Sequence, residues 1–192
     1  MTTSNANFAS PVAFSVRSQA YGSHSPALLI IGAGSSAITY KAPSAPQSGL
    51  WFAVIDRTTL EMPLSIIHAD NTTVPSAIQP YLDDKYILVV ASVSLSMLDT
   101  PQGELFKFLD KYGAGRGLRR MINIATQFGC GSYGFMSYTL VNTLFPPEGQ
   151  GPAVGFERVD TEMNVSALLT IELRDIDVSE AGKLWTPTSL SD

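Results

Sequence analysis

Leu28-Leu29-Ile30-Ile31-Gly32-Ala33-Gly34-Ser35-Ser36-Ala37 is the stretch on which the reading of this fold turns. As text it is an apolar strand running into Gly-x-Gly-x-x-Ala, the fingerprint of a dinucleotide-binding turn. Asp56 closes another apolar run roughly 20 residues further on, where a ribose-binding acid belongs. The chemistry of that motif needs a helix that begins at the glycines and points its free N–H groups at a pyrophosphate. A crossover to a parallel strand then needs about a dozen residues or more. Pro43, Pro46 and Gly49 leave only residues 35–42 for it, with β-branched Ile38 and Thr39 in the middle. Gly32-x-Gly34-x-x-Ala37 therefore reads as a turn between antiparallel strands, and Asp56 as the close of a buried strand. A nicotinamide or flavin enzyme remains only a distant alternative.

On the N-terminal side, residues 12–20 alternate apolar and polar at period two, the pattern of a half-buried strand. On the C-terminal side, 37–40 reads as a short strand and 41–49, with two prolines, as a loop. Leu50–Asp56 and Tyr86–Ser92 are continuous apolar runs and read as strands buried on both faces. Residues 64–68 suit a hairpin partner for the first run. Thr73 and Pro75 can start a short helix ending near Leu82. Thr100-Pro101 opens a helix through Tyr112, which Gly113-Ala114-Gly115 ends. Leu118, Ile122 and Ala125 give a second helix over 116–128, and 133–142 returns to a strand. The Pro/Gly-rich stretch 145–152 marks a compositional break. Beyond it lie a short strand at 153–159, an alternating strand at 165–174, and a stretch over 177–192 that reads as a loose tail.

The 192 residues can bury a core without staples, and the lone Cys130 excludes a disulfide framework and any multi-cysteine metal site. Charged residues make up 15%, against about 25% in a typical soluble domain. So few charges point to a surface partly covered by other subunits. The net charge of −5 argues against nucleic-acid and anionic-membrane partners. Arg116, Arg119 and Arg120 form the only basic cluster and read as a solvated helix face. The first eleven residues are polar, read as a flexible arm and show no secretory signal, so synthesis in the cytoplasm is expected. The sequons at Asn71 and Asn164 then read as chance matches.

Cys130 with His68 and Asp70 would be needed to build a thiol triad, but a lone glycine-flanked cysteine is more often structural. Asp83-Asp84 reads as a solvated loop, and the two histidines are too far apart in sequence for ligand spacing, so neither metal nor cofactor is expected. Trp51, Phe52, Tyr133, Phe135 and Tyr138 are aromatic residues of which most belong in a core. Any that reached the surface would suit stacking on a sugar ring or a protein partner.

The order of these elements resembles the ILEI (interleukin-like inducer of epithelial–mesenchymal transition, PANDER-like) domain over residues 12–142. The resemblance is carried by Val12–Ala20 with its turn, Ala27–Gly32, Gly49-Leu50 followed by Ala53-Val54-Ile55-Asp56, Ile66–Asp70, Tyr86–Ser92, Leu105–Gly113 and Ser132-Tyr133-Gly134-Phe135. It implies a β-β-α sandwich of mixed α/β class, with largely antiparallel sheets and two to three helices. Residues 12–144 would form that domain and 145–192 a C-terminal β extension and tail. Members of that family mostly bind rather than catalyse, and they include bacterial and phage proteins. Glycan-reading members carry an acidic residue and an arginine where this chain has Val93-Ser94-Leu95 and Cys130-Gly131, so sugar binding does not simply carry over.

The reading is of a non-catalytic structural or attachment component of a larger assembly, such as a phage virion, tail or injection-like particle. Its partners would be other protein subunits, in a homo- or hetero-oligomer. Val165, Ala167, Leu169, Ile171 and Leu173 alternate cleanly enough to join another chain's sheet edge. The alternative is a glycan- or ligand-binding module using Trp51, Asp56, Tyr133 and Tyr138.

Overall fold

A computed structural model describes residues 8–43, 48–128, 135–143, 155–178 and 182–190. Within them, two sheets and a layer of helices are stacked. The first sheet has the order β11-β10-β1-β2-β3, with β1 at Val12–Arg17, β2 at Leu28–Ile31, β3 at Ile38–Lys41, β10 at Leu168–Val178 and β11 at Gly182–Thr188. The second holds β4 (Gly49–Asp56) between β5 (Ile67–Ala69) and β6 (Tyr86–Val93). Next to β6 comes β8 (Phe135–Thr143), which also pairs with β7 (Leu95–Ser96) and with β9 (Phe156–Asp160). Every ladder between named strands is antiparallel. The chain is thus a mixed α/β protein built mostly on antiparallel sheets.

The layering follows from the side-chain pattern. Val12, Phe14 and Val16 on β1 pack with Ile31, Ile171 and Leu173 of the first sheet against Trp51, Ala53, Ile55, Ile87, Val89 and Ala91 of the second. The alternate residues of β4 and β6, Leu50, Phe52, Val54, Leu88 and Val90, point the other way. They meet α1 (Gly103–Lys111) and α2 (Arg116–Phe128) through Leu105, Leu109, Leu118 and Met121. β4 and β6 therefore lack alternation because both of their faces are covered. α2 has the bounds read from the sequence.

Several elements differ from expectation. The short helix after Pro75 is a 3-10 helix, Ser76–Tyr81, because Pro80 lacks the N–H that an α-helix would need there. The partner of β4 is Ile67–Ala69, displaced toward the C-terminus of the 64–68 stretch. The loose tail is corrected over Gly182–Thr188, which forms β11 in full register with β10. The segment beyond residue 145 supplies β9 to one sheet and β10 and β11 to the other, so both sheets are completed by it. The N-terminal arm is seated from residue 8 onward: Phe8 packs on the inter-sheet core, and Ser10 Oγ accepts a hydrogen bond from the Asp175 N–H at 3.1 Å.

Candidate functional site

The Gly32 stretch is a hairpin turn. Gly32 and Gly34 have φ of 91° and 65°, and Gly34–Ser36 is a single 3-10 turn that returns the chain into β3, antiparallel to β2. Gly32 serves packing as well as backbone geometry, since a Cβ there would lie 2.9 Å from the Phe8 ring. Asp56 closes its own turn: its Oδ1 accepts from the N–H groups of Thr58 at 2.7 Å and Thr59 at 3.1 Å.

The two described aromatic residues of the ligand-binding alternative are both buried, which corrects that assignment. Trp51 is 5% exposed, faces the inter-sheet core and meets His68 edge-on, with centroids 5.0 Å apart. Tyr138 is fully buried on the helix side. Neither ring can stack on a ligand arriving from solvent. Tyr133 and Cys130 lie outside the described residues. His68 and Asp70 sit at β5, beside an open depression of about 370 Å³ that Thr73, Pro75 and Ser76 help to line. Asp70 is spent on its own turn: Oδ1 accepts from the Thr72 and Thr73 N–H groups at 2.9 and 2.7 Å. Those bonds, Thr72's first, hold its carboxyl below the usual aspartate value. Among the described residues, no group of three His, Cys, Asp or Glu side chains is placed to hold a metal.

The expected assembly strand is corrected too. β10 is interior to its sheet: it pairs with β1 over Leu168–Leu173 and with β11 over Glu172–Val178, so the alternating stretch is already engaged along its β1 side by this chain's own strand. Ile171 and Leu173 are in the core, Leu169 is half-buried, and Val165 and Ala167 precede the strand. Arg116, Arg119 and Arg120 are exposed on α2; Arg119 pairs with Asp110 at 2.5 Å.

The densest polar constellation is one the sequence did not announce. Glu157, on β9, places its carboxylate at the N-terminus of α2. Oε2 accepts from the N–H groups of Gly115 and Gly117, each at 2.9 Å, and Oε1 from the Leu118 N–H at 3.0 Å. The Tyr138 hydroxyl donates to Oε1 at 2.7 Å. A helix start offers free N–H groups and the positive end of the backbone dipole, and a carboxylate answers both. Burial, and then the Glu157 charge, push the Tyr138 hydroxyl well above its usual pKa, so it stays a donor. Glycines make the approach possible. A Cβ on Gly117 would lie 3.1 Å from Glu157 Cβ, and one on Gly113, whose φ is 95°, would overlap Asn142 and the Gly155 backbone.

A buried charge lies just after β4. Arg57, 5% exposed, donates from Nε to the Trp185 carbonyl at 3.0 Å, from Nη1 to the Asp84 carbonyl at 2.6 Å and from Nη2 to Thr186 Oγ1 at 2.7 Å. Desolvation lowers its pKa and the charge of Asp84 opposes that. The sequence signal for Glu157 was indirect: Gly113-Ala114-Gly115-Arg116-Gly117 opens a helix with no Ser, Thr, Asp or Asn to cap it. Arg57 carried no signal, since its partners on β11 are more than a hundred residues away.

Both polar constellations bind elements of the chain to one another. No protein-family model and no curated protein matches the chain.

Proposed function

We propose that this protein is a non-catalytic structural subunit that contacts copies of itself through the outer face of its first sheet, as in a virion, tail or injection-like particle. The outer face is the observation that carries this reading. Phe14, Ile31 and Ile171 point into the core, so their strand neighbours point out. They line up across the strands as Thr170, Ser15, Ile30 and Thr39, and then as Leu168, Arg17, Leu28 and Lys41. Both helices pack on the far side of the second sheet. The face is therefore open, and Leu168 is 56% exposed on it. Its Thr170–Ser15–Ile30–Thr39 row is uncharged and can be covered by a neighbour at little desolvation cost, with Arg17, Lys41 and the Glu172–Arg174 ion pair placed around it.

Sedimentation across a wide concentration range tests the proposal, with Thr170→Arg as the control. The wild type is expected to associate as concentration rises, and Thr170→Arg to remain a monomer with an unchanged melting temperature. A wild type that stays monomeric at every concentration would sink the proposal.

A further inference from the structure

We infer that Arg57 closes the outer edge of β11 against the addition of another strand. The first sheet ends at β3 on one side and at β11 on the other. An edge strand presents a row of unpaired N–H and C=O groups that another chain can use as a template. On β11 that row belongs to alternate residues. The Trp185 N–H points away from β10, since it donates to the Arg57 carbonyl at 2.9 Å, so Lys183 and Pro187 share its outward side.

Arg57 meets Trp185 as a residue of a neighbouring strand would. Its carbonyl accepts the Trp185 N–H, and its Nε–H donates to the Trp185 carbonyl at 3.0 Å, in the place of a backbone N–H. Two residues on, Pro187 has no N–H to offer. The middle of the outward row is thus filled and its next position is blank. Only Lys183 keeps both backbone groups there, and a lysine on an edge itself discourages pairing.

The guanidinium is fixed by Asp84 and Thr186, and among the described residues no carboxylate lies at ion-pair distance from it. Burying a cation among neutral acceptors is costly. Water would satisfy an exposed Trp185 without that cost. What the arginine adds is occupation of the place a foreign strand would take. This inference stands apart from the proposed contact through the sheet face, because it concerns the edge and is read relative to the wild type.

Arg57→Met removes the side-chain donors and keeps an aliphatic stem. Sedimentation velocity over concentration, with circular dichroism to monitor the fold, is expected to show association at least about tenfold tighter than the wild type, the worth of one or two backbone hydrogen bonds. Adding Lys183→Pro, which deletes an outward N–H that β10 does not use, should return the association to the wild-type level. Wild-type association in Arg57→Met, or tightened association that Lys183→Pro leaves in place, overturns the inference. Should Arg57→Met fail to fold, Arg57→Lys decides. It keeps a cation and a long stem but lacks the planar fork that reaches Trp185, Asp84 and Thr186 together. Tightening that Lys183→Pro reverses supports the inference, and unchanged association overturns it.

Discussion

Two glycine-rich turns in this chain exchange the roles their sequences suggest. Gly32-x-Gly34 has the spacing of an anion-binding helix start, yet it turns one antiparallel strand into the next and seats the Phe8 ring. Gly113-x-Gly115-x-Gly117 matches no named motif, yet it opens a helix whose first N–H groups hold an anion, the carboxylate of Glu157. The difference lies in the residues C-terminal to the glycines. Past Gly34 the chain makes a single 3-10 turn and enters a strand at Ile38; past Gly115 it enters α2, a helix of 13 residues. Glycine permits a backbone to approach an anion, but only a helix supplies the aligned donors.

Alanine at each turn separates the two roles. Gly113→Ala is expected to cost the most, roughly 3–5 kcal/mol, because it combines a disfavoured positive φ with overlap against backbone and Asn142. Chemical denaturation measures it. Glu157→Ala comes next at roughly 2–4 kcal/mol, since it strips three backbone donors and the Tyr138 hydroxyl of their acceptor. Tyr138→Phe removes one of those four bonds and should cost about 1 kcal/mol by the same assay. Gly34→Ala should also stay near about 1 kcal/mol, because only the positive φ opposes it and the space beside it is open. A Gly34→Ala cost equal to that of Gly113→Ala would erase the distinction between the turns.

The smallest expected effect is on pH. The folded Asp70 carboxyl titrates below its unfolded value, so its contribution is complete above about pH 4 and fades as pH falls through the lower, folded value. The stability gap between the wild type and Asp70→Ala should therefore be constant from neutral pH down to about 4 and narrow below it. A gap that widens in acid would mean the Thr72 and Thr73 bonds do not hold the carboxylate.

Much of the fold was legible because it is local. The unbroken apolar runs at β4 and β6 implied burial on both faces, and the prolines after Ala37 ruled out a crossover helix. The same run that buries β4 on both sides already implied that Trp51 is unavailable to a ligand. β10 shows the limit of alternation, which reports that one face is buried and is silent on whether a strand is central or at an edge. β11 was hidden by Pro187, which fits a strand only where its missing N–H points outward. Glu157 and Arg57 were out of reach for a different reason. Each acts on partners brought close by the sheets, some 40 residues away for Glu157 and more than a hundred for Arg57 on β11.

Amide hydrogen exchange at Gly115, Gly117 and Leu118, compared between the wild type and Glu157→Gln, tests most directly whether the helix start is filled from within. Slow exchange at these three amides in the wild type, and fast exchange in Glu157→Gln while the core of β4 and β6 stays protected, is the predicted result. Fast exchange at the same amides in the wild type would contradict the account.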